Sequence, residues 1–108
     1  MAKRNVKPTN AARARKLLGK ALRGYRERAG LTLDELAERV GKSKATLSKL
    51  ENGTVGIDVT ELPALVRAVG GSPATVLIDL ELATTTHSAD RATLERLRAV
   101  VAVIDGGG

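Results

Sequence analysis

Leu31–Gly53 reads LTLDELAERVGKSKATLSKLENG, and its first half predicts a short amphipathic helix. The apolar residues of this half recur at helical spacing and would face a core: Leu33, Leu36, Ala37 and Val40. Thr32, with Glu35 three positions later, has the spacing of a capping box, which starts many helices. Gly41 follows at the point where a helix ends in left-handed backbone, a conformation that glycine adopts without steric cost.

The second half predicts another short helix, whose outer surface is polar and basic. Ser43 can cap this helix, Leu47 and Leu50 point toward the core, and Asn52-Gly53 ends it. The outer surface is left to five residues: Lys44, Ala45, Thr46, Ser48 and Lys49. Two short helices joined by a glycine turn, the second with a basic outer surface, form the layout of a helix-turn-helix.

The same stretch resembles the repressors and Cro-type regulators of phages and the related Xre-like proteins of bacteria. The matching motifs are LT-x-x-ELA in Leu31–Ala37 and G-x-S-x-x-x-L-S-x-L-E-N-G in Gly41–Gly53. The likeness extends from about Leu18 to about Leu77. It implies an all-α fold: a five-helix phage-repressor-like helix-turn-helix domain, here with a basic N-terminal arm and an additional C-terminal helix.

The resemblance also implies roles for residues of the second helix, which would lie in the major groove of DNA. Four residues match the base-reading positions of the family: Lys44, Ala45, Thr46 and Lys49. A lysine can donate to guanine O6 and N7 or bind a phosphate as a point charge, and an alanine can lie against a thymine methyl group. Arg26 and Glu51 match two positions that form an internal salt bridge in the family.

Residues near the helix ends are candidates for binding the DNA backbone, because helix N-termini present free N–H groups to phosphate. These candidates are Thr32, Lys42, Ser43, Ser48 and Asn52. Thr32 and Ser43 also cap helices, and Asn52 can serve as a helix-end residue alone. Many relatives carry a DNA-contacting Gln where Leu33 stands. Leu33 cannot make that contact, so the contact is either missing here or made by Lys42 or Lys44.

Positive charge is concentrated at the start of the chain. Residues 1–30 contain ten Lys or Arg residues and one acidic residue, whereas residues 31–108 contain eight basic and eleven acidic residues. Such asymmetry favours a polyanionic partner, here double-stranded DNA, because phosphate contacts release counterions. Three arm residues can enter a groove or wrap the duplex: Lys3, Arg4 and Lys7. The alternative is a solubilising tail with ordinary surface charge.

The composition excludes several other classes of protein. A chain of 108 residues without cysteine has no disulfides and no thiolate metal site. His87 stands without a second histidine nearby, and Asp34, Glu35 and Glu38 are explained by the helix dipole. We therefore expect no catalytic site, no metal and no cofactor. No apolar run approaches the ~20 residues of a membrane span, so we expect a cytoplasmic, nucleoid-associated protein without a membrane partner.

The chain divides into five predicted segments. They are a flexible basic arm (1–10), a helix-turn-helix domain (11–82), a linker (83–88), a C-terminal helix (89–105) and a glycine tail (106–108).

Within the helix-turn-helix domain, the remaining helices have their own sequence signals. Gly24 is expected to permit a close approach to the first helix. Thr60 is expected to cap the fourth helix, and Ser72-Pro73 to start the fifth. The fifth helix should be buried through three residues: Val76, Leu77 and Leu80.

The C-terminal helix carries a seam of apolar residues at spacings of three, four and three: Leu94, Leu97, Val101 and Ile104. A helix this short needs a surface to pack against. It can fold back on its own domain, or it can pack against its copy in a second subunit or against another protein.

Two functions remain open at this point. The first is a sequence-specific transcriptional regulator, repressor-like, that binds a pseudo-palindromic operator as a homodimer. The second is a protein-interaction module on the same scaffold, either an antitoxin that pairs with a toxin or a bridging coactivator. Nothing in the sequence supports an enzyme.

Overall fold

The computed structural model describes residues 9–84 and 88–107, with side chains for 9–84 and 91–104. All regular structure in these residues is helical: α1 (Asn10–Arg28), α2 (Leu33–Val40), α3 (Lys44–Glu51), α4 (Leu62–Ala68), α5 (Pro73–Thr84) and α6 (Ser88–Gly107). The predicted fold class, five helices followed by an additional one, is confirmed. Lys3, Arg4, Lys7 and His87 lie outside the described residues.

One aliphatic core joins the first five helices. Its buried residues are Leu18, Leu22, Leu36, Leu47, Leu50, Leu62, Leu65, Val66, Val69 and Val76. Tyr25 of α1 and three residues of α2, Leu33, Ala37 and Val40, pack against the edge of this core. The prediction that Leu77 is buried is wrong, because this residue is 42% exposed. Val76 takes the inward position of α5, and the next residue lies about 100° further round the helix.

Helices α1 and α3 make their closest contact at Gly19, not at Gly24. A Cβ atom on Gly19 would collide with the carbonyl oxygen of Leu50 and lie 2.5 Å from that of Glu51. A Cβ atom on Gly24 would meet only the Arg28 side chain, at 3.4 Å. Glycine is therefore required at position 19, where the backbone of α3 touches α1.

The starts of α4 and α5 differ in how they are capped. The prediction that Thr60 caps α4 is wrong, because its N–H and Oγ1 both donate to Asp58 Oδ1, at 2.8 and 2.6 Å. These hydrogen bonds lower the pKa of Asp58. Helix α4 has Glu61 at its N-cap without a side-chain cap. Ser72 does cap α5, since its Oγ accepts from the Thr75 N–H at 3.2 Å.

Helix α6 packs against α5. Arg98 Nε lies 2.5 Å from Asp79 Oδ1, and this hydrogen bond raises the pKa of Arg98. The apolar seam does not face one side: Leu94 and Val101 are half-buried, whereas Leu97 and Ile104 are 48% and 67% exposed.

Three helix ends differ from the predicted segment bounds. Helix α5 continues to Thr84, beyond the predicted end of the domain at residue 82, and α6 reaches Gly107 inside the predicted glycine tail. Helix α1 begins at Asn10, the last residue assigned to the arm, because Thr9 Oγ1 caps it through the Ala12 N–H. Among the described helices, none has the length and apolar composition that a membrane span requires.

Candidate nucleic-acid interface

A tight turn sets the angle between α2 and α3. Gly41 adopts φ +70°, and its N–H donates to the Ala37 carbonyl at 2.9 Å. Ser43 then starts α3, since its Oγ accepts from the Thr46 N–H at 3.1 Å. Leu47 and Leu50 are each 2% exposed and attach the inner side of α3 to the core. The opposite side of α3 therefore faces solvent in a fixed orientation.

The outer surface of α3 presents all four predicted base-reading residues to solvent. Lys44, Ala45 and Thr46 are exposed at the start of the helix, and Lys49 is exposed near its end. Lys44 Nζ lies 3.5 Å from Asp34 Oδ2, and both side chains are more than half exposed, so this ion pair is weak. Lys49 forms no ion pair within the part of the chain that the structure describes. Its positive charge is available to a ligand.

The start of α2 is less suited to phosphate than the start of α3. The capping box predicted here is present: Thr32 N–H donates to Glu35 Oε1 at 2.8 Å, and Glu35 N–H donates to Thr32 Oγ1 at 3.1 Å. The hydrogen bond from the Thr32 backbone lowers the pKa of Glu35, which favours its charged form. Asp34 adds a second carboxylate, while the first turn of α3 contains no acidic residue.

Two further residues predicted to bind the DNA backbone, Lys42 and Asn52, contact other parts of the protein. Lys42 Nζ lies 2.5 Å from Glu61 Oε1, so Lys42 is partly neutralised. The Asn52 side chain is exposed, and the backbone carbonyl oxygen of Asn52 accepts from Lys16 Nζ at 3.1 Å. Ser48 is half-buried. Leu33, which stands where many relatives carry Gln, is half-buried and packs against the core.

Lys16 and its neighbour Arg15 carry no sequence signal of their own as site residues. Both lie on α1, and the structure brings Lys16 to the end of α3 and Arg15 to the loop that follows. The only signal is the general basic character of α1. Their distance of more than thirty-five residues along the chain from Asn52 gives no local pattern.

Arg26 and Glu51 lie together behind this surface. Arg26 Nε is 2.6 Å and Nη2 2.9 Å from the two carboxylate oxygens of Glu51. The hydrogen bond to Glu51 raises the pKa of Arg26. The pair therefore connects α1 with α3 and directs no charge toward solvent.

The outer surface of α3 carries groups that can donate hydrogen bonds to a ligand. Among the described residues, no group of three or more His, Asp or Glu side chains is placed to hold a metal ion. What the surface offers is exposed hydroxyl groups, ammonium groups and helix-terminal N–H groups on one side of α3, which are donors to phosphates and base edges.

Comparison with known proteins places the chain in a family. A family model described as a helix-turn-helix domain matches residues 17–77. No curated protein matches the sequence.

Two solved structures of the clp gene regulator ClgR from Corynebacterium glutamicum are similar to the chain. One is 37% identical, covers 82% of this chain and 90% of its own, and has a TM-score of 0.58. The other is 35% identical, covers 76% of this chain and 100% of its own, and has a TM-score of 0.61. The chain therefore belongs to the helix-turn-helix domain family of DNA-binding transcriptional regulators.

Proposed function

We propose that this protein regulates transcription by binding a specific sequence of double-stranded DNA, with α3 in the major groove. The observation that carries the proposal is the exposed outer surface of α3, held in place by the two buried leucines on its inner side. A rigid helix that presents basic and hydroxyl side chains matches how recognition helices contact base edges. The ClgR structures supply support by analogy, since ClgR is a regulator of clp genes.

The residues of this surface contact different parts of the DNA. Lys44, Ala45 and Lys49 contact base edges, and Thr46 contacts a base or a phosphate. Ser43, at the start of α3, and Asn52, at its end, bind the DNA backbone. Thr32 binds phosphate only through its hydroxyl group, because its N–H is held by Glu35. Lys42 contributes when DNA competes with Glu61 for its ammonium group.

We further propose that the protein acts as a homodimer on a pseudo-palindromic operator. A two-fold dimer repeats the recognition helix about one DNA turn away, roughly 34 Å. Helix α6 offers a contact for a second copy: Leu97, Val100 and Ile104 recur at spacings of three and four and are 48%, 54% and 67% exposed. A single stripe of this kind can pair with itself across a two-fold axis.

Selection of bound duplexes from a random DNA pool, at near-physiological salt, tests both parts of the proposal. A two-fold symmetric motif with half-sites about one turn apart is the expected result. An asymmetric motif would keep sequence-specific binding and overturn the homodimer. Weak binding that selects no motif and fades steeply with salt would overturn the regulator and leave only electrostatic attraction.

A protein-interaction module, an antitoxin or a bridging protein, is the second candidate. The exposed apolar stripe of α6 is the observation in its favour, because a partner protein can cover it as well as a second copy can. Co-purification of a stoichiometric partner from the source cell, together with failure to select a DNA motif, would favour this candidate over the regulator.

A further inference from the structure

We propose that Arg15 and Lys16 on α1 bind DNA phosphate beside the groove that α3 enters, which extends the DNA interface beyond the helix-turn-helix. This inference rests on the proposed function, because it requires α3 to dock on DNA. It adds to that function a second element and an interaction that depends on charge alone.

The position of Lys16 next to α3 is set by backbone packing. Lys16 Nζ donates to the backbone carbonyl oxygen of Asn52, the C-cap residue of α3, at 3.1 Å. A Cβ atom on Gly53 would lie 2.9 Å from the Cα of Lys16 and 3.1 Å from its N. Because Gly53 lacks a side chain and adopts φ +74°, the loop and α1 touch directly. The Lys16 ammonium group is therefore held at the end of the recognition helix.

Arg15 lies along the loop that follows α3. Its Cγ and Cδ atoms are 3.8 and 3.7 Å from the Cβ position of Gly56. Arg15 has no ion-pair partner in residues 9–84 and 91–104, and the described hydrogen bond of Lys16 goes to a neutral carbonyl group. Within these residues, no carboxylate compensates either positive charge.

The loop itself cannot supply this charge. Residues 53–61 read GTVGIDVTE, which contains no lysine or arginine and two carboxylates. Among the described residues, Arg15 and Lys16 of α1 are cations that contact Asn52 and this loop. Since phosphate contacts are made mainly by lysine and arginine, Arg15 and Lys16 are the groups in position to bind there.

These two residues also lie just outside the segment that defines the family. The family model matches residues 17–77, so Arg15 and Lys16 directly precede its first residue. The charge they bring to the end of α3 is thus a feature of the part of this chain that precedes the family segment. A purely structural role, in which Lys16 only caps α3, predicts no effect of these charges on DNA binding. An ammonium group has three donors, and the cap uses one of them.

The test is the salt dependence of operator binding by the full chain. The variant is the double substitution Arg15→Gln and Lys16→Gln, and the DNA is the duplex selected from the random pool. The slope of log affinity against log salt is expected to become shallower by about 0.9 for each phosphate that the variant no longer neutralises. At ~0.1 M salt this corresponds to roughly eightfold weaker binding per phosphate. The selected motif is expected to stay the same, because phosphates carry no base identity.

Two further variants separate this inference from a general reduction of charge or a failure to fold. Lys20→Gln removes one positive charge, half of the change in the double variant, one turn along α1. Because Lys20 lines a cleft between α1, α5 and α6, the slope should not change. Exchanging the two residues, Arg15→Lys with Lys16→Arg, keeps both charges and should keep the slope. Thermal melting of each variant establishes that it folds.

Hydroxyl-radical footprinting of the wild-type complex provides a readout that needs no stable variant. We expect protection of DNA backbone positions beyond those covered by α3, and the absence of this protection in the wild-type complex would overturn the role of α1. In a double variant that folds, the protection should disappear. A double variant that folds and retains both the wild-type slope and the wild-type footprint would overturn the role of α1 and leave the regulator intact. A wild-type protein that selects no motif would overturn the proposed function, and this inference with it.

Discussion

Arg26 and Glu51 form an ion pair through two hydrogen bonds, with Nε–Oε2 and Nη2–Oε1 distances of 2.6 and 2.9 Å. Their side chains are 13% and 7% exposed, and Arg26 also donates to the Leu31 carbonyl at 2.8 Å. One guanidinium group thus joins the end of α1, the start of the α2 region and the end of α3. Together with the buried Leu47 and Leu50, the ion pair holds α3 against α1.

Removing one partner of this pair should destabilise the fold. Arg26→Met leaves the Glu51 carboxylate shielded and unpaired, and we expect a decrease of about 3–5 kcal/mol in the free energy of unfolding, measured by urea denaturation. Arg23→Met breaks the exposed pair with Glu27 on the same helix and should cost less than about 1 kcal/mol. Equal decreases in the two variants would contradict a special role for Arg26.

Adding one methyl group at two glycines of α1 should have opposite effects. Gly19→Ala places Cβ against the backbone of α3, and we expect a decrease of about 1–3 kcal/mol in stability. Gly24→Ala meets only the end of the Arg28 side chain and should gain about 0.5–1 kcal/mol, because alanine is the better helix former. Thermal melts of both variants decide this, and a stabilised Gly19→Ala variant would show that α1 and α3 are not in backbone contact.

Lys49 should contribute to sequence discrimination. Lys49→Ala is expected to weaken operator binding by about 1–3 kcal/mol and to relax the preference at one base position per half-site. Titration of the operator and repeated selection with the variant measure the two effects. Lys20→Ala, which removes the same kind of side chain from α1 beside the cleft with α5 and α6, is the control. A Lys49→Ala variant with wild-type affinity and motif would exclude base reading by this residue.

The exposed stripe of α6 should support the dimer. Leu97→Glu combined with Ile104→Glu introduces two carboxylates where two copies would meet, and sedimentation should then give the mass of a single chain. Ala102→Glu adds a carboxylate to another exposed position of α6 and should leave the dimer in place. If wild-type protein and double variant sediment with the same mass per particle, the stripe is not the subunit contact.

The capping box should make stability depend on pH through Glu35. Its pKa in the folded protein lies below the ordinary value of 4.5, because the carboxylate accepts the Thr32 N–H. The resulting stabilisation is present above the unfolded pKa and disappears as the pH falls through the lower, folded pKa. Glu35→Gln should therefore show a smaller drop in the urea midpoint between about pH 6 and about pH 3. A Glu35→Gln variant that keeps the wild-type drop would exclude Glu35 as the source of this pH dependence.

Local signals are enough to find the helices and the helix-turn-helix. Capping by Thr32 and Ser43, the glycine turn at Gly41 and the inward spacing of Leu47 and Leu50 all act within a few residues, and the structure contains each of them. Such interactions depend on which side chains stand three or four positions apart, and that can be counted along the chain.

The contacts between helices could not be predicted from spacings along the chain. Three features depend on how separate helices pack against one another. They are the glycine of α1 that contacts α3, the residues of α6 that face α5, and the cations that lie at the end of α3. Gly19, Leu97 and Lys16 carry no local pattern that distinguishes them from Gly24, Leu94 and Lys20. Amino-acid order alone specified α3 and its exposed face, because these follow from short-range spacing. Packing of the core selected the residues that surround that face, because burial of apolar area fixes the helices relative to one another.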